Sequence, residues 1–226
     1  MELMLVLLLL SVSAIVAPIV VAVAITSHRE QARRLEMARL HQWAVRNGLH
    51  YTPNDRTVSA LSLRAPFGVG NDRVGHDVFR GNHRGRAIVF GEYRYTTKNN
   101  KSTVVHSWQF VALALPSCRP WLSVSRDFGS GLFSCRGRKG VLLESQEFNE
   151  RFRIDAASER FAYDVLSPRM MEWLLADARA NTVGFRFEGQ WAITVRAGRL
   201  RPDEVWFHAD FLHDVIGQVP DFVWRY

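Results

Sequence analysis

An α+β domain behind an N-terminal membrane helix is the fold class this sequence predicts, and three features predict it. Leu3 to Ile25 is an apolar run of 23 positions broken only by Ser11, Ser13 and Pro18. Residues 78–125 set aromatic and β-branched positions in alternation between Gly- and Asn-rich turns, the period-2 signature of strands. After Asp155 the apolar spacing becomes that of helices, with Ser167-Pro168 as a strong start signal. The expected layout is an anchor over 1–26, a membrane-proximal amphipathic helix over 27–50, and one globular domain over 51–226. That domain is read as an antiparallel sheet with helices packed on it.

As a helix the apolar run measures about 35 Å, enough to cross a hydrocarbon core of roughly 30 Å with some tilt. A cleaved secretory signal would need a basic leader and a shorter apolar stretch. Ala22-Val23-Ala24 has the form of a cleavage site, but only Met1 and the acidic Glu2 precede the run. A retained anchor is therefore the reading. Arg29, Arg33, Arg34 and Arg39 all follow the span, so the positive-inside rule keeps the bulk of the chain cytoplasmic and places Arg29, Arg33 and Arg34 near the headgroups.

The chain carries a formal charge of +7, and residues 27–226 hold all of its Lys and Arg and every acid but Glu2. Lys occurs only at 98, 101 and 139. Beyond the membrane-proximal stretch the Arg residues are interleaved with acids, which argues against a nucleic-acid patch. About 200 residues outside the anchor suffice for a core without metal or disulfides. Cys118 and Cys135 are the only cysteines, too few for a disulfide framework and expected to stay thiols in a reducing cytoplasm.

In chain order, Ser27 to Asn47 reads as a helix with Met37, Leu40, Trp43 and Ala44 on one face, stopped by Asn47-Gly48. The polar stretch Tyr51 to Ala65 reads as loop. Val78-Phe79, Ala87 to Thr97 and Thr103 to Leu115 are strands of a meander, turning at Gly81 to Gly85 and at Lys98 to Ser102. Both faces of the third strand are substantially apolar, which predicts a sheet covered on two sides. Trp121 to Ser125, Leu132 to Cys135 and Gly140 to Glu144 read as short strands. Asp155 is placed as the cap of a helix carrying Phe161, Ala162, Val165 and Leu166. Pro168 opens a helix with Met171, Leu174, Leu175 and Ala178 on one face. Gly184 to Arg196 reads as a hairpin around Glu188-Gly189-Gln190, and Pro202 opens a last helix with Val205, Ala209, Leu212 and Ile216 as its stripe.

Candidate chemistry is thin. His208, Asp210, His213 and Asp214 are the densest group of ligand-type residues, but five positions separate the histidines, about 140° of helix, whereas zinc-binding helices space them by four. A solvated helix surface accounts for them. Asp127-Phe128-Gly129 lacks the companion motifs of a kinase, and Ser130 lacks the elbow spacing of a hydrolase nucleophile. Glu144, Glu147 and Glu150 offer clustered carboxylates without a visible sugar cleft. His76-Asp77 and His83 read as hairpin polarity, and the tryptophans as core packing. No catalytic, metal or cofactor residue is assigned.

Leu143 to Asp155, with the pattern Glu144-Ser145, Phe148, Phe152 and Ile154-Asp155, continues through Leu166, Pro168, Met170-Met171 and Leu174-Leu175. With Arg80-Gly81, Gly85-Arg86, Tyr93-Arg94-Tyr95 and the entry segment Trp43-Ala44, Asn47-Gly48 and Tyr51, it resembles a bacterial, actinobacterial-type family of membrane-anchored domains of unknown function. The resemblance spans roughly residues 35–222 and implies an anchored globular domain with no catalytic residues to carry over. The function expected is a non-enzymatic, cytoplasm-facing interaction or scaffold domain with a protein partner at the membrane. The alternatives are a hydrolase working on a membrane-borne substrate, through two or more of Glu92, Asp127, Glu144, His76 and His208, and a lipid- or acyl-binding module.

Overall fold

The computed structural model describes residues 2–99, 102–126 and 140–225. Two compact units divide it, Met1–Arg46 and Asn47–Tyr226.

The first unit is one helix, α1 (Glu2–Arg46), continuous through Pro18 and through the junction expected at residue 26. Among the described residues no helix is long and apolar enough to cross a membrane. The side chains of residues 2–19, 22 and 23, most of the expected span, lie outside that description. In the Arg-rich half, Met37, Leu40 and Trp43 are half-buried and Ala44 is buried, while Leu35 and Val45 are exposed.

In the second unit, six strands among the described residues form one sheet, every pair antiparallel. They are β1 (His50–Asp55), β2 (Asn71–His83), β3 (Arg86–Asn99), β4 (Ser102–Ser125), β5 (Arg153–Ala156) and β6 (Phe185–Ala197). The helices are α2 (Gln146–Arg151), α3 (Glu159–Val165), α4 (Pro168–Ala176) and α5 (Pro202–Gln218). The α+β class with helices on an antiparallel sheet is therefore as expected. β2 and β3 turn at Arg84-Gly85, both with positive φ, the geometry that a two-residue hairpin loop demands and that glycine accepts without strain.

β4 organises the sheet. Its first half lies between β3 and β6, its second between β5 and β6, with register shifts at Ala114 to Leu122 where the strand bends past Pro116 and Pro120. Both faces are covered. On one, the segment 56–70 brings Val58, Leu61 and Phe67 onto Val89, Tyr93, Phe110, Ala112, Ile193 and Val195, all buried. Phe67 packs against Tyr93 at 4.7 Å and edge-on against Phe110 at 5.5 Å, and the Tyr93 hydroxyl donates to the Phe67 carbonyl at 2.8 Å. On the other face lies α5, whose Trp206 reaches Phe90 and whose Phe211 reaches Phe185.

Several elements differ from the sequence reading. His50 to Asp55 is an edge strand and not loop, and Trp121 to Ser125 continues β4. Gly140 to Glu144 is irregular, tied to β5 through the Val141 N–H, which donates to the Ile154 carbonyl. Leu132 to Cys135 lies outside the described residues. Asp155 is a strand residue, and the helix that follows is capped instead by Ser158, which accepts from the Phe161 N–H. Glu188-Gly189-Gln190 is not a turn: β6 runs through it on β4 with Gly189 at φ +60°, and the extra residues of the bulged stretch lie on β4, where Ala114 to Leu122 faces Trp191 to Phe187. Ser167 and Pro168 start α4 as expected.

Candidate functional site

Directly paired residues of antiparallel strands point to the same face, so the register Glu92–Gln109–Arg196 across β3, β4 and β6 sets a polar row beneath the start of α5. Glu92 and Gln109 are each only 3% exposed. Arg94 Nε donates to Glu92 at 2.5 Å. Gln109 Oε1 accepts the Arg201 backbone N–H at 2.9 Å, fixing where α5 begins, while its Nε2 has no partner. From Arg196 the row continues onto the helix: Arg196 donates to Glu204 at 2.6 Å and Arg201 to the other oxygen of the same carboxylate at 2.8 Å. The Arg201 hydrogen bond, with Arg196 nearby, holds the Glu204 carboxyl below the usual carboxylate range.

One turn on from Glu204, His208 is 6% exposed and its Nδ1 has no hydrogen-bond partner. Burial lowers its pKa, against the pull of Glu204 in the other direction, so the imidazole is neutral near pH 7. Of these residues Arg196, Glu204 and His208 line a groove of about 540 Å³, together with Thr182, Val183 and Phe207. The Phe207 ring is 47% exposed on its wall. The groove thus combines a bare aromatic ring, a carboxylate clamped by two guanidiniums and a neutral imidazole.

The four ligand-type residues of α5 go separate ways. His208 faces this groove and is buried, a correction to the solvated surface expected of it. Asp210 accepts from His83 Nε2 at 2.9 Å and lies 3.3 Å from Arg84. Asp214 receives Arg179 at 2.8 Å, with His213 3.7 Å away. His83 also stacks on Trp206, so this cluster clamps the β2–β3 turn to α5. Among the described residues no group of three or more His, Cys, Asp or Glu is placed to hold a metal.

Among the described residues considered for hydrolysis, His208 alone lines the groove. Glu92 is spent on Arg94, and Glu144, Glu147 and Glu150 are exposed. His76 sits on β2 opposite Glu92. Asp77 is buried and accepts the Tyr51 hydroxyl at 2.5 Å, which is more than hairpin polarity. Asp127 and Ser130 lie outside the described residues. Arg196, Glu204 and Phe207 were not singled out in the sequence, although one signal was legible: His208 stands three after Val205 and four before Leu212, on the apolar stripe itself.

A second polar row occupies the opposite face. Asp155, Ser123 and Arg186 are in direct register on β5, β4 and β6, at 3%, 1% and 1% exposure. Arg186 donates to the Ala65 carbonyl at 2.5 Å and to Ser62 Oγ at 3.0 Å, and Ser62 donates to Glu188 at 2.5 Å. Asp155 Oδ1, Ser123 Oγ and Arg186 Nε have no hydrogen-bond partner. Burial lowers the Arg186 pKa to about 10.

A six-stranded antiparallel sheet sandwiched between a helix and a long segment is thus the class of domain that the chain presents. The chain matches no family model. It matches no curated protein either. Among solved structures, it shares its fold with the crystal structure of the mycobacterial trehalose monomycolate transport factor A, TtfA. The TM-score is 0.53, over 81% of this chain and 95% of that one, at 16% sequence identity.

Proposed function

We propose that this protein is a membrane-anchored, cytoplasm-facing accessory domain that serves lipid transport by binding and holding, without catalysing a reaction. The observation that carries the reading is the fold shared with a mycobacterial transport factor over nearly the whole of that chain. The apolar run Leu3 to Ile25 supplies the anchor, and Arg29, Arg33 and Arg34 meet anionic headgroups on the cytoplasmic side. The resemblance to actinobacterial membrane-anchored domains points the same way. The folded domain is the part that meets a protein partner of the transport machinery, and nucleic acid is not among its ligands.

Two measurements test this. Membranes washed with high salt and then alkaline carbonate retain the protein, and detergent releases it; release by carbonate removes the anchor. Depletion of the protein in its host makes a lipid destined for the envelope accumulate on the inner side. An unchanged lipid distribution on depletion removes the transport role.

A further inference from the structure

We propose that the groove beside α5 is a binding site for a neutral, polyhydroxylated headgroup of the sugar type. The argument is one of charge and of donors and acceptors. An anion entering the groove meets Glu204, and a cation meets Arg196 with Arg201 close behind. A hydroxyl group suits both, because it donates to the carboxylate and accepts from the guanidinium at once. The carboxylate is held on one oxygen by Arg196 and on the other by Arg201, which orients its remaining lone pairs.

The other walls fit the same ligand. The half-exposed Phe207 ring offers an apolar plane on which the C–H face of a sugar ring lies flat. His208, neutral and 6% exposed, lines the wall without adding a charge. A volume of about 540 Å³ falls within the range of small-molecule sites. The buried Gln109 holds the Arg201 backbone, and with it the first turn of α5, in place beneath the site. The inference deepens the transport reading and rests on it for the lipid that bears such a headgroup; the chemistry of the groove carries the rest.

The test uses the full chain in micelles of a detergent free of sugar. Trehalose and maltose serve as neutral probes and dodecanoate as an anionic one, followed by ligand-observed NMR. The expected result is saturable binding of a disaccharide in the millimolar range, weakened about tenfold or more by Glu204→Gln and by Phe207→Ala. Circular dichroism and thermal melting check that both variants stay folded, and Arg151→Gln, on α2 away from the groove, leaves binding unchanged. Binding of neither disaccharide, binding of dodecanoate alone, or disaccharide binding indifferent to both groove substitutions overturns the proposal. The lipid distribution on depletion is read separately: if it changes while no sugar binds, the groove proposal falls and the transport reading stands.

Discussion

One segment, residues 56–70, covers two very different patches of the same sheet face. Phe67 plugs an apolar cluster with Tyr93 and Phe110, whereas Ser62 and the Ala65 carbonyl hold the buried guanidinium of Arg186. The two patches touch, since Arg186 lies over the Phe67 ring at 5.6 Å. Burial works in opposite directions in them. Each ring taken from water stabilises the fold by roughly 1.5–3 kcal/mol, with no direction required of it. A guanidinium taken from water costs free energy unless its donors are matched, and here Nε makes no hydrogen bond and faces the Glu188 carboxylate at 3.8 Å. The apolar patch therefore accounts for stability, while the polar patch fixes where the segment sits along the sheet.

The largest effect expected is in the apolar patch. Phe110→Ala should cost about 3–5 kcal/mol in denaturant unfolding, because a ring enclosed by Phe67, Tyr93 and Ile193 leaves a cavity. A loss under about 1 kcal/mol would mean that the segment collapses into the space.

Next come the substitutions that separate the patches. Arg186→Ala leaves Glu188 and the Ala65 carbonyl without their buried partner and should cost about 3 kcal/mol. Arg186→Met refills much of the space but leaves Glu188 and the Ala65 carbonyl without the same partner, so it should cost less than Arg186→Ala while it speeds amide exchange at residues 62–67 selectively. Equal protection in Arg186→Met and the parent would show that the polar patch does not specify the position of the segment.

The smallest effect is the pH dependence from the far side of the sheet. His208 is held neutral when folded, with its pKa below the ordinary 6.5 because of burial. The unfolded chain therefore binds the extra proton, and stability rises with pH. The contribution of this residue is complete above pH 6.5 and is lost as pH falls through the lowered folded value. His208→Leu should flatten that part of the stability profile, and an unaltered slope would exclude His208 as its source.

The meander β2–β3–β4 was legible because period-2 apolar spacing and the Gly85 turn agree with the final packing, and α4 and α5 because cap residue, proline and stripe coincide. The misread places share one cause: the same residue types serve two geometries. Glu188-Gly189-Gln190 has turn chemistry, but the strand continues through Gly189 opposite the bulged stretch of β4, and only the partner strand decides. Pro116 and Pro120 look like breaks, yet a strand that bends can keep its ladder around them. Asp155 suits a cap, and Ser158 three residues later suits it equally. The polar rows were hidden because Glu92, Gln109 and Arg196 lie far apart in sequence and meet only through register. His208 could have been suspected from its place on the stripe of α5.

The 24-residue strand β4 has a consequence for how this domain could be divided. Because β6 spans both of its halves while β3 and β5 each take one, no cut through β4 separates the second unit into self-sufficient pieces. Fragments such as 47–115 and 116–226 should neither fold alone nor serve as interchangeable cassettes in chimaeras, and relatives of this architecture should vary at loop tips instead of by exchange of halves.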